Sequence, residues 1–131
     1  MSNVAIVIPT YNELENIERL IKEIKKNINK CNIYIVDDTP NNDIGKLLVK
    51  KKIKVNYFHR KNKSGRGSAI IYGLKKASYN KKNQIFVEMD ADFSHDPKEL
   101  KKNLIIFDKK NLDLLIASRY LKNSKILNWG L

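Results

Sequence analysis

Cysteine is nearly absent. Cys31 is the single one in 131 residues, so no internal disulfide is available and no Cys/His spacing suits zinc. A reducing, cytoplasmic setting is expected, in which the Asn62-Lys63-Ser64 sequon carries no meaning. Long apolar runs are missing too: nothing approaches the ~20 residues of a membrane span. The start, Met1-Ser2-Asn3-Val4, has neither the basic nor the apolar region of a leader. Arginine is scarce, confined to Arg19, Arg60, Arg66 and Arg119 among 26 basic residues. Phosphate-loop fingerprints are absent as well. Gly65-Arg66-Gly67-Ser68-Ala69 has Ile70 where a dinucleotide motif needs its third glycine, and no Gly-Lys-Ser/Thr comes after it as in a P-loop.

What the chain does have is lysine, giving a formal net charge of +12. An anionic partner is one reading of that charge; solvated lysine faces in a lysine-biased protein are the plainer one. The plainer reading is favoured, because specific phosphate or base readout uses the arginine fork. The pairs and triplets Lys25-Lys26, Lys50-Lys51-Lys52 and Lys109-Lys110 also carry no interleaved aromatics on which bases would stack. Nucleic acid is therefore not expected. Attraction to an anionic membrane surface stays open, at about 1 kcal/mol per lysine near the surface. Hydrophobic content of 42% in this length predicts a single globular domain over residues 1–131.

Strand and helix patterns alternate from the first residues. Val4–Ile8 is a continuous apolar run ended by Pro9, as in a buried parallel strand. Leu14, Ile17, Leu20, Ile21, Ile24 and Ile28 recur at helical spacing. Ile33–Val36 is a second strand, and Ile44, Leu47 and Leu48 mark a short helix. Val55–His59 is a third strand, Ser68–Ala77 a helix and Ile85–Met89 a fourth strand. Leu100, Leu104, Ile105 and Phe107 mark another helix, and Leu114–Ala117 a fifth strand. This order predicts an α/β, three-layer αβα fold with a mostly parallel sheet and helices on both faces. The close at Asn128-Trp129-Gly130-Leu131 supplies neither a final helix nor a strand, and a C-terminally incomplete domain is expected.

Four strand ends carry the chemistry. Asp90-Ala91-Asp92 alone reads most simply as a solvated turn. After an apolar strand, however, it lies where open α/β sheets bind ligands, and two hard oxygens there suit a divalent cation with a phosphorylated substrate. Asp96-Pro97-Lys98-Glu99 is read as a capping box, with Asp96 as the N-cap and Pro97 first in the helix, not as further metal ligands. His95 is read as a satisfied loop histidine before a ligand. Pro9-Thr10-Tyr11-Asn12-Glu13 leaves two readings open: a helix cap (Thr10 with Glu13, or Asn12 with Glu15), or a nucleotide contact at Tyr11. Asp37-Asp38 closes the second strand and suits a ribose-binding carboxylate. Gly65 to Ala69 opens a helix, and the segment leading into it leaves two readings open: a flexible loop and helix start, or a mobile basic segment, Arg60 to Arg66, near phosphates. Arg119, after the fifth strand, reads as a phosphate partner.

Together these segments resemble family 2 glycosyltransferases of the GT-A fold, most nearly the dolichyl-phosphate mannosyltransferase (polyprenyl-phosphate glycosyltransferase) branch. The resemblance rests on Val7 to Glu13 with Glu15-Asn16-Ile17, Ile35 to Asp38, Gly65 to Ala69 with Gly73, Met89 to Pro97, and Ser118-Arg119-Tyr120. It implies that Pro9, Tyr11, Asn12, Glu13, Val36 and Asp38 hold the nucleotide. It implies that Asp90, Ala91 and Asp92 lie against the diphosphate, with Asp92 the main ligand of Mg²⁺ or Mn²⁺ and Asp90 beside it. Arg119 would serve the sugar phosphate and the acceptor phosphate; Asp92 and Arg119 are the implied catalytic pair.

The implied reaction is inverting transfer of mannose or glucose from GDP-mannose or UDP-glucose to a polyprenyl phosphate. The protein would then work peripherally at the cytoplasmic membrane face. Ser94 stands where some members carry a glutamine ligand, and Thr39 to Asp43 departs from the family's usual turn. The family domain also continues past Trp129. A donor-binding half-domain, inactive alone or completed by a partner chain, is the first alternative; a basic nucleic-acid-binding protein is the second.

Overall fold

The computed structural model describes residues 3–62 and 65–124. Four strands alternate with four helices: β1 (Asn3–Thr10), α1 (Leu14–Asn27), β2 (Cys31–Asp37), α2 (Asp43–Lys50), β3 (Asn56–His59), α3 (Arg66–Ser78), β4 (Asn83–Glu88) and α4 (Pro97–Lys109). The sheet runs β3-β2-β1-β4 and every pairing is parallel.

β1 is buried on both faces, and its period of two sorts the core. Val4, Ile6 and Ile8 join Ile33 and Ile35 of β2 under the helices α1, α2 and α4. Ala5 and Val7 face the other way, with Tyr34, under α3. α1 buries Ile17, Leu20, Ile21 and Ile24 on its apolar stripe. At 1.5–3 kcal/mol per fully buried aliphatic side chain, that stripe contributes roughly 6–12 kcal/mol before conformational entropy is subtracted. α3 lies closer to the sheet because position 73 is glycine: a Cβ there would run into the side chains of Val7 and Val36. Among the described residues no buried side-chain polar atom lacks a hydrogen-bond partner.

The fold agrees with the pattern read from sequence, with three differences. β4 is not a fully buried strand. Ile85 and Val87 pack on the larger core, but Phe86 is 43% exposed, because α3 packs chiefly on β1 and β2. No fifth strand forms at 114–117. The segment is irregular there, and Leu114 and Ile116 are 73% and 74% exposed; an apolar run with no strand beside it has nothing to pair with. The cap readings divide. Asp96 does cap α4, its carboxylate accepting the Lys98 N–H at 2.9 Å. Glu99 does not return the bond, since its carboxylate takes the Lys102 ammonium instead. α1 starts from Glu13 without a side-chain cap, so neither Thr10 nor Asn12 is a cap. The closing residues Asn128 to Leu131 lie outside the described residues.

Candidate functional site at the strand ends

The connections through α1 and α2 carry the chain outward from β1 to β2 and β3. The connection through α3 returns it past β1 to β4 on the other face. The strand order therefore reverses between β1 and β4, and the crevice outside their C-terminal ends is where such sheets receive ligands. The Pro9–Glu13 turn and Asp90–Asp92 border that crevice.

Asp37 and Asp38 are adjacent but do different work. Asp37 is fully buried and acts as a bracket between strand ends. Its Oδ1 accepts the Thr10 hydroxyl at 3.0 Å, the Thr39 N–H at 3.1 Å and the Thr39 hydroxyl at 2.6 Å; its Oδ2 accepts the Tyr57 hydroxyl at 2.7 Å. Burial first, and then the Asp37 carboxylate, push the Tyr57 phenol far above its ordinary value, so it stays a donor. Thr39 in turn accepts the Asn12 N–H at 2.9 Å and fixes the turn after β1, where Asn12 sits at φ 57°.

Asp38 is held in a bidentate fork by Arg60, whose Nε and Nη2 each donate at 2.6 Å; Nη1 reaches the Ser68 hydroxyl at 2.9 Å. The bond to Asp38 is also the leading reason that the Arg60 guanidinium holds its proton even more tightly than usual. Two donors leave a carboxylate with further acceptor positions, so Asp38 can still take a hydroxyl. Arg60 is pinned rather than mobile.

At the end of β4, Asp90 donates its N–H to Nδ1 of His95 at 3.0 Å, which makes His95 the satisfied loop histidine expected of it. The Asp90 carboxylate Oδ1 accepts two bonds from Arg66, from Nε at 2.9 Å and Nη2 at 2.7 Å; the same Nη2 donates to Glu88. Gly65 to Ala69 does open a helix, α3, as the sequence suggests, but Arg66 is not a mobile residue awaiting phosphate: its fork lies on two acids. Asp92 is exposed, and its Oδ1 accepts the Ser94 N–H at 2.9 Å. Hydrogen bonding from Ser94, the side chain foremost, holds the Asp92 carboxyl below the usual carboxylate range. Ala91 between them is buried. Phe93 takes φ 64°, and its ring lies under the Arg19 guanidinium at 4.2 Å.

Among the described residues no three His, Cys, Asp or Glu converge as a metal cage. Mg²⁺ commonly takes one or two carboxylates and completes its shell with water and substrate phosphates. Asp92, ionised and exposed, fits such a role directly. Asp90 fits it once Arg66 gives way.

The remaining residues named from sequence scatter in character. Tyr11 is 42% exposed at the rim of the crevice. Pro9 is half-buried at the end of β1, and Glu13 accepts the Asn16 side-chain amide at 3.0 Å. Val36 is fully buried, its side chain toward Gly73 of α3 and its backbone between Pro9 of β1 and Phe58 of β3. Arg119 sits exposed in a turn beyond α4. Because 114–117 form no strand, no strand end places it beside Asp92. Sequence reasoning missed the bracket Thr10-Asp37-Thr39-Tyr57 and the pairing of Arg60 and Arg66 with acids. The scarcity of arginine was the available signal for the latter.

Comparison with known proteins agrees with this fold. A family profile described as Glycosyl transferase family 2 matches residues 5–131. Dolichol-phosphate mannosyltransferase of Pyrococcus furiosus is 39% identical over 96% of this chain and 36% of its own length. Polyprenol monophosphomannose synthase of Mycolicibacterium smegmatis is 34% identical over 95% of this chain and 48% of its own. Undecaprenyl-phosphate mannosyltransferase of Micrococcus luteus is 30% identical over 96% and 52%. The chain thus spans about a third to a half of these relatives. The crystal structure of S. aureus TarS 1–349 superposes with a TM-score of 0.63 at 21% identity, covering 83% of this chain and 33% of that one; this likeness carries the fold.

Proposed function

The chain belongs to glycosyl transferase family 2, and from that membership we propose that it is the donor-binding part of an inverting hexosyltransferase acting on a polyprenyl phosphate. Mannose is the favoured sugar, with GDP-mannose the donor ahead of UDP-glucose, because the three relatives are named as mannosyltransferases or a phosphomannose synthase. Their names also supply the acceptor class. One observation carries the reading: two carboxylates, Asp90 and Asp92, follow β4 at the β1–β4 switch point, where the Pro9–Glu13 turn leaves the neighbouring β1.

In this reading the base and ribose lie between Tyr11 and Asp38, and the diphosphate passes over Ala91. An acceptor phosphate oxygen attacks the anomeric carbon as the bond to the diphosphate breaks, and the nucleoside diphosphate leaves with that electron pair. The attacking oxygen is already anionic, so no general base is needed, and alignment of the two reactants supplies much of the acceleration. Asp92, with Asp90, would hold Mg²⁺ or Mn²⁺, which when bound offsets charge on the leaving diphosphate. Arg119 is proposed to meet the acceptor phosphate. Among the described residues no helix is long and apolar enough to cross a membrane, and the net charge of +12 favours attachment to an anionic, cytoplasmic face.

A second reading is a donor-binding half that needs a partner chain for turnover. Calorimetry with GDP, UDP and Mn²⁺, beside an assay of nucleotide release with polyprenyl phosphate, separates the two. Release that Asp92→Asn abolishes supports the first; binding without release supports the second. Binding of neither nucleotide sinks both.

A further inference from the structure

The Asp90 carboxylate faces a cation already, and it belongs to the chain. Arg66 places Nε and Nη2 on Asp90 Oδ1 at 2.9 and 2.7 Å and shares Nη2 with Glu88. Three features make this more than a surface ion pair. The guanidinium serves two acids on one strand end, so one positive charge answers two negative ones and a net negative charge remains to draw a further cation. Arg66 is the first residue of α3, flanked by Gly65 at φ 89° and by Gly67, and a side chain at either glycine would meet only open space. Its side chain is 51% exposed, so it can leave by rotation about its own bonds, with no movement of the helix.

We propose that Arg66 is a resident counterion at the cation position of Asp90, which a divalent metal displaces on binding. The inference rests on the reading of Asp90 and Asp92 as metal-binding carboxylates. The physical logic is competition for one oxygen. Oδ1 cannot keep both guanidinium bonds and also enter the inner shell of a small dication, which demands close, directed oxygens. Before a cation arrives, the fork keeps two neighbouring carboxylates from repelling each other and holds Asp90 in one orientation. On exchange the guanidinium keeps Glu88, and the donors it frees from Asp90 can meet a further anion; the class of ligand that brings one with the metal is a nucleoside diphosphate. Arg66 would thereby make metal binding unfavourable alone and favourable with donor.

The experiment measures Mn²⁺ alone, by paramagnetic resonance of free Mn²⁺ at low ionic strength, against the full chain and three variants. Arg66→Gln is expected to tighten Mn²⁺ binding about fivefold, the factor that a half-exposed pair worth ~1 kcal/mol withholds. Arg66→Lys separates competition from bulk charge. It keeps the charge but loses the fork, so competition predicts that it recovers much of the gain, whereas simple charge repulsion predicts none. Asp92→Asn tests the underlying reading by itself. If Mn²⁺ binds, Asp92→Asn weakens it and neither Arg66 variant tightens it, the counterion role is overturned while the metal reading stands. If Asp92→Asn leaves Mn²⁺ binding unchanged, or no Mn²⁺ binds at all, both fall. Circular dichroism of each variant confirms that α3 is intact.

Discussion

Replacing Asp37 should unfold the protein more readily than replacing any other acid near the crevice, and by an amount that depends on what replaces it. In Asp37→Ala four donors lose their acceptor inside a fully buried site. They do not lose equally. The Thr10 and Thr39 hydroxyls can rotate toward other oxygens, and the Tyr57 hydroxyl keeps Asn42 Oδ1 at 3.1 Å. The Thr39 N–H is fixed by the backbone and cannot turn away. One fixed donor and a share of one hydroxyl, at about 1–3 kcal/mol for each buried unsatisfied group, give a loss of about 2–5 kcal/mol. Asp37→Asn should cost less, about 1–2 kcal/mol. Its carbonyl oxygen can retain the three Oδ1 donors, while its amide faces Tyr57, whose hydroxyl can accept that N–H and donate to Asn42. Urea unfolding monitored by far-ultraviolet circular dichroism measures both. With a slope near 2 kcal/mol/M, typical for a small domain, the midpoint should fall by about 1–2.5 M for alanine and under about 1 M for asparagine, with the slope unchanged. Equal midpoints for the two variants, or a wild-type midpoint for Asp37→Ala, would refute the bracket between strand ends.

Asp92→Asn should leave the unfolding free energy within about 0.5 kcal/mol, since the side chain is exposed, yet weaken Mn²⁺-dependent nucleotide binding at least tenfold by calorimetry. The Asp92 carboxyl is held low in the folded chain. Whatever stability this adds is therefore present above the unfolded carboxylate value and is lost as pH falls through the lowered folded value. A titration of Asp92 observed by NMR above the ordinary carboxylate value would contradict it. Arg60→Ala should cost about 3 kcal/mol in urea unfolding, because Asp38 is left buried without its fork; a loss under about 1 kcal/mol would show the pair to be superficial. Gly73→Ala should destabilise by about 1–3 kcal/mol, overpacking against Val7 and Val36 outweighing the better helix propensity of alanine, and a raised melting temperature would refute the close approach.

Much of the candidate site was legible because its residues come directly after strands whose apolar runs are plain. Val4–Ile8 and Ile33–Val36 mark strands without help from their neighbours, and the turns at their C-terminal ends must lie at the sheet edge. The misreadings share one cause. Leu114–Ala117 has a strand's composition, but a strand exists only where another offers its backbone groups, and none does so among the described residues. Thr10 has the spacing of a cap, but the Asp37 carboxylate, distant in sequence, claims its hydroxyl. Arg60 and Arg66 sit in a segment that reads as loose, and two carboxylates from other strands hold them.

By itself, the order of residues determined the alternation of strand and helix, the parallel sheet that this alternation implies, and the family. Those depend on local periodicity and on motif series that stay intact along the chain. Only the tertiary structure decided that Asp37 braces the fold while Asp38 faces Arg60, and that Arg66 already occupies Asp90. Which acid meets which base is set by strand order and helix position, which bring residues more than twenty positions apart within hydrogen-bonding distance.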